Sequence, residues 1–142
     1  MDTTAGSREL HLTMATEDYL ECIVRIERDQ DEQEPGVRSV DIANQLGVSK
    51  ASVNKAVSAL KAQGLVEQSH YGKVSLTPDG REIGEAVWYR PRLLRTFLIQ
   101  ELGVEFERAD AEACQMEHAL SEDTMARWLS YLESQGIVVV ES

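Results

Sequence analysis

Val37-Arg-Ser39-Val-Asp41-Ile-Ala-Asn-Gln-Leu46-Gly47-Val48-Ser49-Lys50-Ala-Ser52-Val53-Asn54-Lys55-Ala-Val57-Ser-Ala-Leu60-Lys61-Ala-Gln63-Gly64 is the stretch on which the fold turns. Its first part reads as a short helix capped by Ser39, with Val40, Ile42, Ala43 and Leu46 on the apolar side. Gly47 supplies the positive φ that ends that helix, because a residue without Cβ adopts the left-handed conformation at no steric cost. Val48 is expected as a buried turn residue and Ser49 as the cap of a second helix running from Lys50 to Gln63. That helix turns Val53, Val57 and Leu60 inward at steps of four and three, and Gly64 stops it. A short helix, a glycine turn and a longer helix make a helix-turn-helix layout.

Downstream, Leu65 to Ser69 reads as a strand, His70-Tyr71-Gly72-Lys73 as a turn and Val74-Ser75-Leu76 as the returning strand. A hairpin in this place is a wing. Thr77-Pro78 then opens a long helix, with Thr77 as N-cap and Pro78 where a missing N–H costs nothing. Its apolar positions continue through Ile83, Val87, Trp88, Leu94, Phe97 and Leu98 to Leu102-Gly103, with Pro91 inside as an expected kink. Two more helices are expected over roughly 109–120 and 122–132, and 137–140 reads as a β-prone tail. Trp128, Leu129 and Leu132 suit either an internal core or a dimer surface. Upstream, a helix is expected from its N-cap Thr16 to the charged, Pro-Gly-closed loop after Asp29, and residues 1–13 read as a disordered tail.

The fold class expected is therefore mainly α. A winged helix-turn-helix domain at 14–76 precedes an all-helical domain at 77–142.

Charge is unevenly spread over the 142 residues. The net charge of -11 disfavours phosphate binding on its face. Yet residues 37–75 hold Arg38, Lys50, Lys55, Lys61 and Lys73 against only Asp41 and Glu67, a net of +3, while the two flanks carry -7 each. The first turns of the second helix present Ser49, Lys50, Ala51, Ser52, Asn54 and Lys55. Small hydroxyl side chains allow close approach to a major groove, Asn reads adenine, and Lys binds guanine or phosphate. Tyr71 and Lys73 at the wing tip, and Arg38, complete the candidate DNA-contacting set. With so few positive charges per copy, a symmetric dimer is expected, placing two reading helices about one DNA turn apart.

No apolar run approaches the roughly 20 residues of a membrane span, and the start MDTTAGSREL has no signal-peptide pattern. A cytoplasmic location is expected, with no membrane partner and no small organic substrate. The two cysteines, Cys22 and Cys114, form no disulfide framework. No nucleophile–base pair, HExxH or glycine-rich phosphate loop is present, so no enzyme is expected.

Cys114-Gln-Met-Glu117-His118 sets a thiol, a carboxylate and an imidazole at i, i+3 and i+4, on one face of a helix. Thiolate and imidazole select late first-row metals over magnesium. Three donors leave a metal site incomplete, and Asp18 and Glu21, three apart on the first helix, can complete it. Oxidation sensing through Cys114 is the alternative reading.

On these motifs the chain resembles the iron- and manganese-responsive repressors of the diphtheria toxin repressor family, most of all its short members without a C-terminal SH3-like domain. The residues that carry the resemblance are Thr16-Glu-Asp-Tyr-Leu-Glu21, Asp41-Ile-Ala-Asn-Gln-Leu46, Val66 to Gly80 and Glu112 to Ser121. The resemblance implies metal ligands at Asp18, Glu21, Cys114, Glu117 and His118. It implies Fe(II) or Mn(II) as cofactor, with Co, Ni or Zn able to substitute. It further implies a homodimer that represses metal-homeostasis genes at operator DNA, with the metal joining the first helix to the dimerisation domain. Iron-type members carry Cys at the position of Cys114, whereas the pair Asp18 and Glu21 resembles the manganese type. Pro91 stands where members usually carry a metal-binding His, and Arg95 and Asp110 stand where iron-type members place ligands of an ancillary site. A single ion completed by water, or a site of altered metal selectivity, is therefore expected.

Overall fold

The computed structural model describes residues 14–30, 36–69 and 71–139. The expected tail at 1–13, most of the charged loop, His70 and Val140 lie outside the described residues. Among these, six helices and one two-stranded sheet divide into two compact units, with the chain boundary between Val87 and Trp88.

The first unit starts with α1 (Met14–Asp29), whose Leu20, Ile23 and Val24 are buried. Helix α2 (Ser39–Leu46) buries Ile42 and ends at Gly47 with φ 66°, as its missing Cβ permits. Helix α3 (Lys50–Ala62) buries Val53, Val57 and Leu60. Strands β1 (Val66–Gln68) and β2 (Val74–Leu76) pair antiparallel, with Val66 opposite Leu76 and Gln68 opposite Val74. Val37 adds an isolated bridge to Val74 through two backbone hydrogen bonds of 2.8 Å, a long-range pairing with no local sequence signal.

Helix α4 (Pro78–Leu102) opens as expected, with the Thr77 hydroxyl accepting from the Gly80 amide at 3.1 Å. Its first turns need glycine. A Cβ on Gly80 would fall 1.9 Å from the Leu65 carbonyl oxygen, and one on Gly84 would fall 2.9 Å from that of Leu20. Backbone packs against backbone at both places. Arg81 then reaches Glu27 of α1 at 3.0 Å.

In the second unit, α4 packs with α5 (Phe106–Ala119) and α6 (Glu122–Ser134) around Leu93, Leu94, Leu98, Ala109, Ala113, Met125 and Leu132. Trp128 and Leu129 lie half-buried against this core, and Trp128 meets Phe97 edge to face with centroids 6.1 Å apart. Tyr89 donates to a Glu133 carboxylate oxygen at 2.6 Å. Burial first, and Glu133 second, push its hydroxyl up to about 12. Pro91 sits inside α4 without ending it, although its ring nitrogen offers no donor to the Val87 carbonyl.

Several local expectations shift. Helix α1 begins at Met14, so Thr16 lies in its first turn rather than at its cap. The N-cap of α2 is Arg38, not Ser39, and it makes no side-chain cap bond; its guanidinium instead spans the first turn to Asp41 at 3.1 and 3.2 Å. Val40 and Val48 are exposed rather than buried. Helix α5 starts three residues earlier than expected because its cap, Glu105, makes no side-chain cap bond and carries no cap signature. Residues 137–139 form no strand; Ile137 turns into the second core instead.

Candidate functional site

Ser49 fixes the start of α3, its hydroxyl oxygen accepting from the Ser52 amide at 3.0 Å. From there the helix divides its side chains cleanly. Val53 and Val57 are buried, while Ser49, Lys50, Ala51, Ser52, Asn54 and Lys55 are all exposed. Three buried apolar residues hold the helix by an inner face, so the polar outer face is free of packing duties. Each such burial contributes roughly 1.5–3 kcal/mol.

The wing is organised by side chains as well as by the ladder. The Ser69 hydroxyl accepts from the amides of Tyr71 and Lys73 at 3.3 and 3.2 Å, and Gln68 donates to the Gly72 carbonyl at 3.1 Å. Tyr71 at the tip is 93% exposed, so its ring covers nothing within the unit. Arg38 is also exposed, although its guanidinium is shared with Asp41. All nine sequence-predicted DNA residues belong to the first unit.

The metal candidates fall on two helices. On α1, Asp18 is exposed, whereas Glu21 is half-buried and accepts from the Arg25 guanidinium through both oxygens at 3.3 Å. That guanidinium also donates to the Gln45 amide oxygen of α2 at 2.6 Å. Burial works against the charge on Arg25, but the hydrogen bond and charge of Glu21 outweigh it and raise the pKa of the guanidinium. Sequence reasoning missed Arg25 and Gln45, which lie twenty residues apart and share no motif.

On α5, Cys114 and His118 are exposed and Glu117 is half-buried. Helical spacing puts the three on one face. Their chemistry fits a late first-row divalent ion, with a thiol and an imidazole open to solvent. Among the described residues, no group of three or more His, Cys, Asp or Glu side chains stands close enough to hold an ion. Nearby on the same helix, Asp110 accepts from Arg95 at 2.8 Å, and the Arg95 guanidinium lies 4.8 Å from the centre of the Phe106 ring. Cys22 is fully buried, and burial pushes its thiol up to about 11. A thiol so placed is inert at neutral pH.

Comparison with known proteins ties the two units together. Residues 11–74 match the iron dependent repressor, N-terminal DNA binding domain, and residues 77–134 match the iron dependent repressor, metal binding and dimerisation domain. The transcriptional regulator MntR of Escherichia coli O6:H1 is 33% identical over 129 residues, which cover 91% of this chain and 80% of that protein. The chain belongs to the iron-dependent repressor family. It is also similar to the iron-dependent repressor IdeR of Mycobacterium bovis, at 33% identity over 125 residues covering 87% of this chain and 52% of IdeR. Among solved structures, a manganese-dependent transcriptional repressor in complex with manganese matches with a TM-score of 0.63 and 35% identity, over 83% of this chain and 52% of that one. The chain thus spans about half the length of these last two repressors. As a family member it is a metal-dependent transcriptional regulator, with one domain for DNA and one for dimerisation, and not an enzyme. Among the described residues, no helix is long and apolar enough to cross a membrane.

Proposed function

We propose that this chain is a homodimeric repressor that binds operator DNA when loaded with Fe(II) or Mn(II) and controls metal-homeostasis genes in the cytoplasm. The observation that carries the DNA half is the two-faced α3, whose exposed Lys50, Ala51, Ser52, Asn54 and Lys55 stand above buried Val53 and Val57. Asn54 and the two lysines supply base and phosphate contacts, Ser49 and Ser52 allow close approach, and Arg38, Tyr71 and Lys73 engage the flanking backbone.

For the metal half, Asp18 and Glu21 of α1 and Cys114, Glu117 and His118 of α5 are the proposed ligands. The bound ion supplies the positive charge that neutralises three carboxylates and a thiolate. Asp110, engaged by Arg95, and Pro91, which has no donor atom to offer an ion, both favour one ion per chain. The oxidation-sensing alternative at Cys114 gains nothing from the second thiol, since Cys22 is buried and protonated.

Fluorescence anisotropy with DNA from the protein's own upstream region tests the function, with and without chelator and with each metal. Tight binding only with metal is expected; binding indifferent to chelation overturns the metal switch. Lys55→Ala is expected to reduce the slope of log affinity against log salt by about two for the dimer, one for each copy. Calorimetric titration with Mn(II) and Fe(II) counts the ions, and two tight equivalents per chain would sink the one-ion reading.

A further inference from the structure

Glu21 is not an idle carboxylate. Its side chain is only 16% exposed, and the Arg25 guanidinium holds both of its oxygens from one turn along α1. The same guanidinium bridges to Gln45, on the last turn of α2, at 2.6 Å. The contacts of Arg25 therefore join a proposed metal ligand to the helix that packs beneath the reading helix. A planar fork with donors on opposite edges suits this double engagement, and a lysine could not reproduce it.

We propose that Arg25 is the built-in counter-ion of Glu21 in the metal-free protein, and that its link to Gln45 carries the state of Glu21 to the DNA-reading head. The inference rests on the reading of Glu21 as a metal ligand. When Glu21 turns its oxygens to an ion, the fork loses its carboxylate. Arg25 then keeps Gln45 as a partner, gains a repulsive neighbour in the ion, and is driven to a new position. Arg25 thereby lowers metal affinity and makes the response of α2 depend on metal.

The test uses the full-length protein and four substitutions. Mn(II) affinity is read from the electron paramagnetic resonance signal of the free ion, and the DNA response from the ratio of DNA affinities with and without Mn(II). Arg25→Met is expected to tighten Mn(II) binding about fivefold, the size of effect a partly exposed ion pair can have, while shrinking the DNA response. Gln45→Ala is expected to leave Mn(II) affinity within about twofold, because it touches no ligand, and still to shrink the DNA response. Arg25→Lys keeps the competing charge without the fork, so it should behave like Gln45→Ala. Glu21→Gln serves as the control for the underlying reading. If it leaves Mn(II) affinity unchanged, Glu21 is no ligand and the metal reading fails at this position. If it weakens binding while Arg25→Met does not tighten it, the ligand assignment stands and the counter-ion proposal is overturned. An unchanged DNA response in Gln45→Ala overturns the coupling through α2. Should Arg25→Met fail to fold by circular dichroism, Arg25→Gln replaces it in the same measurements.

Discussion

The two units bury different kinds of side chain. The first is rich in β-branched residues, with Ile23, Ile26, Val24, Val37, Ile42, Val53, Val57, Val66 and Val74 beside Leu20, Leu60, Leu65 and Leu76; the second closes over Leu93, Leu94, Leu98, Leu132, Met125 and two alanines, with Ile137 as its β-branched member. A β-branched residue has little rotamer freedom, so a core made of them holds its surface helices to one position. Leucine and methionine repack more readily. The contrast matches the tasks of the two units. On the proposed assignments, a reading helix must present Asn54 and Lys55 in a fixed register, whereas a unit carrying the proposed metal ligands Cys114, Glu117 and His118 must let them adjust.

Both tryptophans, Trp88 and Trp128, belong to the second unit, so tryptophan fluorescence reports on that unit while far-ultraviolet circular dichroism reports on both. The largest expected effect uses that division. Leu60→Ala and Leu94→Ala should each cost about 2–5 kcal/mol. Leu60→Ala should lower the dichroism midpoint ahead of the fluorescence midpoint, and Leu94→Ala should lower the fluorescence midpoint. Coincident midpoints in both variants would break the comparison and show one cooperative block.

Alkaline pH should separate the units next. The buried Cys22 thiol stays protonated up to about 11 in the folded protein, whereas its ordinary value is 9.0. The unfolded chain therefore ionises first. The stabilisation is fully present below pH 9 and is lost as pH rises through 11, by on the order of 2 kcal/mol. In the second unit, Tyr89 shifts the same way from 10.0 to about 12, so its loss begins a unit later. Denaturant titrations at pH 8 and pH 11 check this, and Cys22→Ala should flatten the earlier part of the decline.

A smaller, symmetric effect comes from matched caps. Ser49 accepts from the Ser52 amide at 3.0 Å, and Ser121 accepts from the Thr124 amide at 3.1 Å. Alanine at either position should cost about 1 kcal/mol. Only Ser49→Ala should weaken DNA binding beyond what its stability loss explains. Smallest in energy is a difference in rate: under native conditions a thiol reagent should modify exposed Cys114 and spare Cys22, with Mn(II) slowing the reaction at Cys114. Equal labelling of both cysteines would contradict the burial of Cys22.

Much of this architecture was legible in sequence because it is local. Gly47, Ser49, Thr77-Pro78 and the apolar steps of α3 each act within a turn or two, and each falls where the pattern puts it. The spacing of Cys114, Glu117 and His118 was legible for the same reason. What escaped was long-range. Nothing around Gly80 announces the Leu65 carbonyl fifteen residues earlier, and nothing around Arg25 announces Gln45. Val48, apolar and beside a helix-ending glycine, reads as buried but is exposed, because burial depends on what the fold brings opposite it. The local surplus of lysine, by contrast, was legible once the net charge of -11 was divided along the chain.

The division of α3 into an anchored inner face and an unburdened outer one bears on how such a protein can change its targets. Residues 50–52, 54 and 55 can be exchanged for others of similar helix propensity with little effect on folding, since none is buried in the core. Gly80 and Gly84, which are not among the proposed DNA contacts, admit almost no replacement. A saturation library should therefore return a tolerant block at the start of α3 and two nearly empty columns at the start of α4. New operator preferences can then be selected on an unaltered frame.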